Sequence, residues 1–374
     1  MAKELTGTKV LVEGAGQCSD LLYGSGFHPV DPVVFVDGGR RRTLVVPMLE
    51  YGRAKLECPG VRVVLPEELG IPKEQRRRLA AWVVAAVQAH RVKQVVVGAF
   101  FPAAMLRALE EAGIAVTVWA GAMYPDRARK RPDEVAHITQ AQRAAVAAMH
   151  TAEAMLRTAT VGRGGVLRLG GRVLSSERVR EEIDLVLLRH GCSARDTIVA
   201  GGAQAADPHD RGHGPLRAGT TIVVDIFPQH KQSQYWGDIT RTFCKGPPPP
   251  ALAALYRTVK TAQARALAMI RPGVKGPAIH GMIAQFFEEQ GYPMTVKDGV
   301  VRGFFHGTGH GVGLEIHEAP SISTVDSTLA AGHVVTVEPG LYDPDLGGVR
   351  IEDTVLVTER GAKILRSYPK RFEV

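Results

Sequence analysis

The segment from Phe305 to Glu352 constrains this chain more than any other. Three imidazoles and four glycines alternate in its first part, which reads His306-Gly307-Thr308-Gly309-His310-Gly311-Val312-Gly313-Leu314-Glu315-Ile316-His317-Glu318. Imidazoles at this density usually bind metal or move protons. The glycines remove side chains where the backbone must approach another group closely. The segment therefore predicts a functional site assembled on tightly packed backbone.

Two predicted strand pairs carry carboxylates at positions typical of a sheet interior. The carboxylates and their predicted strands are Asp225 in 221–227, Asp238 in 235–243, Glu338 in 334–340 and Glu352 in 349–355. Carboxylates held side by side in a sheet repel one another and lose solvation, so they require a cation. Because the two pairs have similar spacing, we expect pseudo-symmetric halves that close on one site.

Length and composition indicate an ordinary globular protein. The 374 residues suit two domains, and 45% are hydrophobic and 22% charged. The four cysteines are scattered, and the N-terminus lacks a long apolar segment, so we expect a cytoplasmic protein with reduced thiols and no membrane span. The formal charge is +8. Its arginine clusters are predicted in a hairpin turn (40–42) and on an amphipathic helix (76–78), which argues against nucleic-acid binding.

Residues 1–127 and 128–374 are predicted to form separate domains. In the first, strand-like runs (9–12, 33–36, 43–46, 94–97, 114–118) alternate with helical runs (73–90, 103–112), which predicts an α/β domain. The segment from Gly14 to Ser19 resembles a dinucleotide loop, but the third glycine and a following helix are missing, so we assign it no cofactor. In the second, helices are predicted over 132–156, 177–190, 252–270 and 279–290.

Four carboxylates and one imidazole suit a pair of divalent cations. If Asp225, Asp238, His310, Glu338 and Glu352 converge, two such cations would balance about four negative charges. The oxygen-rich set favours manganese, cobalt or iron(II) over a thiolate-type zinc site, with manganese preferred and zinc also possible. Two cations can share a water, lower its pKa and polarise a carbonyl. This chemistry is hydrolysis of an amide or ester.

The order of these motifs resembles the Xaa-Pro aminopeptidase and prolidase group of the pita-bread metallopeptidases. The matching segments are Gly237-Asp238-Ile239-Thr240-Arg241-Thr242-Phe243, the histidine and glycine run, Val337-Glu338-Pro339-Gly340-Leu341-Tyr342 and Val349-Arg350-Ile351-Glu352-Asp353. The resemblance implies a creatinase-type α/β N-terminal domain and an α+β pita-bread catalytic domain with pseudo-two-fold halves. It also implies a homodimer.

The resemblance further implies roles for individual residues. Asp225, Asp238, His310, Glu338 and Glu352 would bind two metals, and Glu338 would also accept a proton from the water. The non-ligand residues His209, His306 and His317 would hold the substrate and stabilise charge at the attacked carbonyl. Arg350, expected on the strand face of Glu352, would orient carboxylates.

Two positions depart from the family pattern. In the family, a glycine normally stands two positions after the first metal aspartate, whereas this chain has Phe227. The interval from Asp225 to Asp238 is also about two residues longer than usual, which predicts a wider loop over 228–234. Ser321 stands where several prolidases carry an arginine that holds the carboxylate of a dipeptide. The serine weakens the dipeptidase hypothesis.

We therefore expect a metal-dependent exopeptidase that cleaves short peptides with proline in the second position, preferably as an Xaa-Pro aminopeptidase. The alternatives are an Xaa-Pro dipeptidase, a metal-free creatinase-like hydrolase or a lyase, and a non-catalytic peptide-binding module of the same fold. The five intact ligands disfavour the metal-free enzyme and the binding module.

Overall fold

The chain divides into two units, Met1–Arg127 and Ala128–Val374. The structure, a computed structural model, describes residues 5–13 and 19–374. Most of the loop considered as a dinucleotide motif, residues 14–18, therefore lies outside the described residues.

The first unit contains a mixed six-stranded sheet, as the alternating sequence pattern predicts. Its strands are Thr8–Glu13 (β1), Val33–Asp37 (β2), Arg42–Val45 (β3), Arg62–Val64 (β4), Gln94–Gly98 (β5) and Ala115–Trp119 (β6). Its helices are Ser19–Ser25 (α1), Met48–Glu57 (α2), Leu79–Ala89 (α3) and Ala103–Glu111 (α4). The strand order is β4-β3-β2-β1-β5-β6, with β2 antiparallel to both neighbours and the other pairs parallel.

The predicted positions of the two arginine clusters in this unit compare differently with the structure. The hairpin turn predicted at residues 40–42 is present between β2 and β3, although Arg42 itself begins β3. The helical position predicted for residues 76–78 is wrong, because α3 begins only at Leu79. The indole of Trp82 donates a hydrogen bond to the carbonyl of Arg76 at 2.7 Å. This bond fixes the arginine segment as a turn before the helix.

The second unit consists of two similar halves. The first contains helices Pro132–Thr158 (α5) and Ser176–Arg189 (α6) and strands Thr160–Val161 (β7), Leu167–Leu169 (β8), Arg172–Val173 (β9), Cys192–Ser193 (β10), Ile198–Gly201 (β11), Ile222–Ile226 (β12), Gln229–His230 (β13) and Ile239–Phe243 (β14). The second contains helices Pro250–Met269 (α7) and Gly276–Glu289 (α8) and strands Thr295–Lys297 (β15), Val300–Arg302 (β16), Gly309–Gly311 (β17), Glu318–Ile322 (β18), Val334–Val337 (β19), Gly340–Asp343 (β20), Gly347–Arg350 (β21), Asp353–Thr358 (β22) and Gly361–Ile364 (β23).

Each half packs two helices on one antiparallel sheet. In the first half, α5 and α6 share an apolar core with the sheet β11-β12-β14. In the second, α7 and α8 share a core with the sheet β18-β17-β19-β22-β23. This arrangement confirms the predicted fold class. The four helices predicted for this unit are present, and their ends lie within three residues of the expected ones.

Three predicted carboxylate-bearing strands are wrong in their bounds. The strand expected over 334–340 ends at Val337, so Glu338 follows it. The strand expected over 235–243 begins only at Ile239, so Asp238 precedes it. The strand expected over 349–355 is two strands, β21 and β22, which are separated by Ile351 and Glu352. The pairing changes there, because β21 pairs with β20 in a separate hairpin, whereas β22 pairs with β19. A continuous apolar pattern does not reveal such a change of partner.

Arg241 joins the two halves and the C-terminal segment. Its side chain is fully buried, and its Nη2 atom binds the Asp353 carboxylate at 2.6 Å and the Tyr368 carbonyl at 2.8 Å. Its Nε atom donates to the Pro369 carbonyl at 3.2 Å, and its Nη1 atom donates to the Glu352 carbonyl. One guanidinium thus connects β14 to the strand that follows Glu352.

Replacing Arg241 by methionine is expected to lower the free energy of unfolding by about 3 to 5 kcal/mol, because the Asp353 carboxylate would remain buried beside only part of its counter-charge. Urea unfolding measures the effect, with the exposed Arg360→Met as control, for which a change within about 0.5 kcal/mol is expected. Equal midpoints for the two variants would contradict the structural role of Arg241.

Among residues 5–13 and 19–374, no helix has the length and apolar character needed to cross a membrane.

Candidate metal centre

The four predicted carboxylate ligands lie where paired strands of the two halves end. Asp225 is in β12 and pairs with Thr240, and Asp238 directly precedes β14. Glu338 directly follows β19, and Glu352 directly precedes β22. Because Val337 pairs with Asp353, Glu338 and Glu352 lie just beyond the last pair of their ladder. The two strand pairs therefore present their carboxylates to a common region.

His310 reaches this region from β17, which is squeezed between β18 and β19. A Cβ atom at Gly309 would collide with the Thr336 carbonyl, and one at Gly311 would collide with the Ala319 carbonyl. Glycines on both sides of His310 are therefore needed for the close approach of the neighbouring backbones. This is the physical reason for the alternation of histidine and glycine.

Three of the predicted ligands form a compact group. Asp238, His310 and Glu352 each offer a ligand atom, and these atoms lie within 4.8 Å of one another. The Nε2 atom of His310 lies 3.7 Å from Oδ2 of Asp238 and 3.1 Å from Oε1 of Glu338. Glu338 joins the group through this second contact.

Asp225 is linked to the same region through a chain of buried polar groups. Its Oδ2 atom accepts a hydrogen bond from Arg350 Nη2 at 2.6 Å. Arg350 Nη1 donates to the Tyr342 hydroxyl at 2.9 Å, and that hydroxyl lies 2.8 Å from Nε2 of His306. The Nδ1 atom of His306 lies 2.8 Å from the Gly307 carbonyl. In neutral His306, Nδ1 therefore donates to this carbonyl and Nε2 accepts from Tyr342.

Threonine hydroxyls orient two of the carboxylates. Thr240 Oγ1 donates to Glu352 Oε2 at 2.7 Å, and Thr336 Oγ1 donates to Glu338 Oε1 at 3.1 Å. Thr336 Oγ1 also accepts a hydrogen bond from the His310 backbone at 3.0 Å. These contacts hold each carboxylate in one orientation.

Burial and mutual repulsion perturb the acidic groups strongly. Burial raises the pKa of Asp238 and Glu352 well above the ordinary values, and neighbouring carboxylates raise them further. Burial also raises the pKa of Asp225 despite its ion pair with Arg350. For Glu338, burial is outweighed by the hydrogen bond and charge of His310, which lower its pKa to about 2. Three of the four carboxylates are thus unfavourable as anions without further positive charge.

The imidazoles respond to burial in different ways. Burial lowers the pKa of His306 to about 4, so this ring is neutral near pH 7. For His310, burial is outweighed by the hydrogen bond and charge of Glu338, and its pKa is raised. Burial, followed by the charge of His310, lowers the pKa of His317. The rings of His310 and His317 are in edge contact, with centroids 4.3 Å apart.

These residues fit a divalent metal centre. Four carboxylates and one imidazole form the hard, oxygen-rich donor set that manganese, iron(II) and related cations prefer. Within the described residues, Asp225 Oδ1 is buried and has no hydrogen-bond partner, although buried polar atoms are normally paired. A cation would satisfy this oxygen and relieve the repulsion between the carboxylates.

Two further predicted site residues, His209 and Arg350, have different surroundings. His209 is exposed in the segment after the short helical turn at 202–206, and its charge still lowers the pKa of His317. Arg350 ends β21 and binds Asp225. Its Nε atom, at 3.4 Å, and the Glu352 carboxylate, at 2.7 Å, both contact the hydroxyl of Thr240.

The structure shows what surrounds the two departures from the family pattern, which are Phe227 with its longer loop and Ser321. The loop predicted over 228–234 contains the short strand β13, and the Pro228 carbonyl accepts a hydrogen bond from the Gly237 backbone at 2.9 Å. Phe227 is half-buried directly after β12. Ser321 lies in β18, and its hydroxyl is 2.7 Å from that of Ser323.

Sequence reasoning gave no role to Tyr342, although this residue lies between Arg350 and His306. The signal was present in the motif Val337-Glu338-Pro339-Gly340-Leu341-Tyr342, since the tyrosine closes a run that begins at a predicted ligand. Burial raises the pKa of Tyr342 to about 12, so its hydroxyl keeps its proton.

A two-unit chain with paired carboxylate hairpins in its second unit has the architecture of a pita-bread metallopeptidase. The model of metallopeptidase family M24 matches residues 136–359. The chain belongs to this family.

Two relatives carry the name Xaa-Pro dipeptidase. The protein from Pyrococcus horikoshii is 30% identical over 352 residues, covering 92% of this chain and 90% of the relative. The protein from Pyrococcus furiosus is 39% identical over 200 residues, covering 52% of this chain and 55% of the relative. In that second alignment the chain spans about half the length of the relative.

Solved structures show the same fold along nearly the whole chain. The prolidase from Pyrococcus horikoshii OT3 matches with a TM-score of 0.80 and 27% identity, covering 98% of this chain and 95% of that one. An X-Pro aminopeptidase from Thermotoga maritima matches with a TM-score of 0.80 and 24% identity, covering 98% and 97%. The second similarity shows the fold alone.

Proposed function

We propose that the protein is a divalent-metal-dependent Xaa-Pro dipeptidase. The convergence of Asp225, Asp238, His310, Glu338 and Glu352 in one buried group carries this proposal. The names of both relatives described above support the dipeptidase over the aminopeptidase that the sequence alone favoured. The intact donor set supports an enzyme over a binding module.

The five donor residues would hold two divalent cations, which would supply the Lewis acid that activates water and polarises the scissile carbonyl. Manganese is the proposed metal, because oxygen donors predominate. Glu338 is ionised at neutral pH and is therefore able to accept a proton at a carboxylate oxygen. Arg350 orients Asp225 and favours its charged form, and the Tyr342 hydroxyl connects Arg350 to His306.

Of the three histidines outside the donor set, His317 and His209 would contact the substrate directly. Neutral His306 has its Nδ1 proton directed to the Gly307 carbonyl and Nε2 to Tyr342. His317 contacts the ring of His310, so it lies beside the donor set without belonging to it. His317 and the exposed His209 are the groups we assign to substrate contact and to charge at the attacked carbonyl.

The aminopeptidase is a second candidate because of Ser321. A serine hydroxyl that contacts Ser323 offers no positive charge to a substrate carboxylate. A longer peptide, which has no carboxylate at this position, would lose less from the absence of a cation. The length of the substrate is therefore the property that separates the two candidates.

Hydrolysis of Ala-Pro, Ala-Pro-Ala and Ala-Ala by metal-stripped protein, with and without Mn²⁺, tests the proposal. We expect Mn²⁺-dependent cleavage of Ala-Pro, with a kcat/KM at least about tenfold above that of the tripeptide, the scale on which a missing substrate contact discriminates. Ala-Ala should be cleaved poorly. Preferred cleavage of Ala-Pro-Ala would instead establish the aminopeptidase, and no cleavage by protein that holds two metals would leave the binding module.

The proposal extends to the organisation of the chain. We assign residues 1–127 to a creatinase-type N-terminal domain and residues 128–374 to the catalytic domain, and the two units divide between these residues. By the resemblance to the family, we also propose a homodimer.

A further inference from the structure

The backbone of Asp238 is bound by side chains instead of a neighbouring strand. The ladder between β12 and β14 ends at the pair Ile226–Ile239. One residue further, Gln142 of α5 makes two hydrogen bonds to Asp238. Its Oε1 atom accepts from the Asp238 N–H at 2.7 Å, and its Nε2 atom donates to the Asp238 carbonyl at 2.8 Å. Thr354 Oγ1 also donates to this carbonyl at 2.7 Å.

The orientation of the Gln142 amide is determined by its partners. A backbone N–H only donates and a carbonyl oxygen only accepts, so the amide can satisfy Asp238 in one orientation alone. The Gln142 side chain is fully buried, where hydrogen bonds are stronger than in water and an unpaired group is costly. Two bonds to one residue restrict the rotation of that residue more than one bond would.

The approach of α5 to this loop is a specific feature of the sequence. A Cβ atom at Gly237 would lie 2.6 Å from the backbone nitrogen of Gln142 and 2.7 Å from the carbonyl carbon of Ala141. Such contacts exclude any side chain at position 237. The missing side chain therefore allows the backbone next to Asp238 to contact the helix that carries Gln142.

We propose that Gln142 is a positioning residue that fixes Asp238 for metal binding. This inference rests on the proposed function, in which Asp238 is a metal ligand. Gln142 could otherwise serve only to satisfy two buried backbone groups. The positioning role is favoured because both groups belong to Asp238, whose carboxylate lies 3.7 Å from His310 Nε2 and within the compact ligand group. A small rotation of the Asp238 backbone would move this carboxylate out of the group.

The test measures Mn²⁺ binding by metal-stripped Gln142→Met protein, with free Mn²⁺ followed by electron paramagnetic resonance. Methionine keeps the approximate shape of glutamine and removes both hydrogen bonds. Residues that orient metal ligands typically contribute 10- to 100-fold to metal affinity, so we expect Kd for Mn²⁺ to rise by about that factor. The rate of Ala-Pro cleavage should approach that of the wild type at high Mn²⁺ concentration.

Met149→Ala serves as the matched control, because Met149 is a fully buried residue of the same helix. It should lower the unfolding temperature and leave the Kd for Mn²⁺ within about twofold of the wild type, since no ligand contact is removed. Gln142→Glu is a second variant in case the methionine variant does not fold. It keeps the acceptor for the Asp238 N–H, loses the donor to the carbonyl, and should also weaken Mn²⁺ binding.

The outcomes separate the inference from the proposed function. A folded Gln142 variant with wild-type affinity for Mn²⁺ would overturn the positioning role. An equal loss of affinity in Met149→Ala would overturn it as well, because the effect would then follow stability alone. If the wild type itself bound no Mn²⁺, the proposed function would fail instead.

Discussion

Replacing Asp238 by asparagine is expected to lower kcat/KM for Ala-Pro by at least about 10³-fold, the scale of losing a catalytic group, and to stabilise the metal-free protein. The activity should fall because a neutral amide is a poor ligand for a cation that requires charge compensation. Stability should rise because burial, and after it the charges of Glu352, Asp225 and Glu338, raise the pKa of Asp238 well above its ordinary value. One substitution would thus change activity and stability in opposite directions.

The size of the stability change depends on pH. A carboxyl group whose pKa is higher in the folded protein than in the unfolded chain takes up a proton on folding. The metal-free wild type is therefore expected to lose stability as the pH rises from the ordinary pKa of an aspartate through the raised pKa. Asparagine does not titrate, so the advantage of the variant should be larger near pH 8 than near pH 5.

Thermal unfolding in the presence of a chelator measures this effect. At pH 8 we expect the unfolding temperature of Asp238→Asn to exceed that of the wild type by at least about 2 °C, the shift that about 1 kcal/mol produces in a domain of this size. Asp326→Asn is the control, because the Asp326 side chain is 82% exposed. Saturating Mn²⁺ should reverse the order, since the wild type gains more from the metal. A variant that is less stable without metal would contradict the electrostatic argument.

The sequence predicted which carboxylates come together better than it predicted the bounds of the strands beside them. Asp225, Asp238, Glu338 and Glu352 were identified because carboxylates in apolar runs are chemically costly, and this cost does not depend on strand boundaries. The bounds around Asp238 and Glu352 were wrong, because Tyr235 to Phe243 and Val349 to Val355 look continuous as strands. The interruptions arise from the inserted hairpin β20–β21 and from the backbone contact of Gly237 with α5.

Residues that support the site could not be predicted in the same way. Gln142 is one polar residue in an alanine-rich helix, and its partner is 96 positions further along the chain. Arg241 alternates with Thr240 and Thr242 in a strand, a pattern equally typical of an exposed arginine. Its complete burial depends on Asp353 and on the carbonyls near Tyr368, which only the fold brings together. Local patterns report the chemistry of a residue but not its distant partners.

Replacing Glu338 by glutamine is expected to lower kcat for Ala-Pro by about 10²- to 10⁴-fold at saturating Mn²⁺, the range that general-base catalysis contributes. Glutamine keeps the shape of the side chain and one oxygen that can accept the hydrogen bond from Thr336. It cannot accept a proton as a base, and it removes the negative charge that His310 faces at 3.1 Å. Because the backbone position is preserved, KM should change much less than kcat.

The response of Glu338→Gln to excess Mn²⁺ distinguishes metal binding by Glu338 from proton acceptance. If Glu338 acted only as a ligand, excess Mn²⁺ would restore kcat, because the loss would be one of metal affinity. If it also accepts a proton, kcat should stay low when two metals are bound, as measured by metal analysis of the dialysed protein. Glu315→Gln is the control, since Glu315 is an exposed residue near His317, and it should retain nearly full activity. Recovery of kcat in Glu338→Gln at high Mn²⁺ would assign proton transfer to another group. The next residue to replace would then be the neutral His306, which is held by Tyr342 and Gly307.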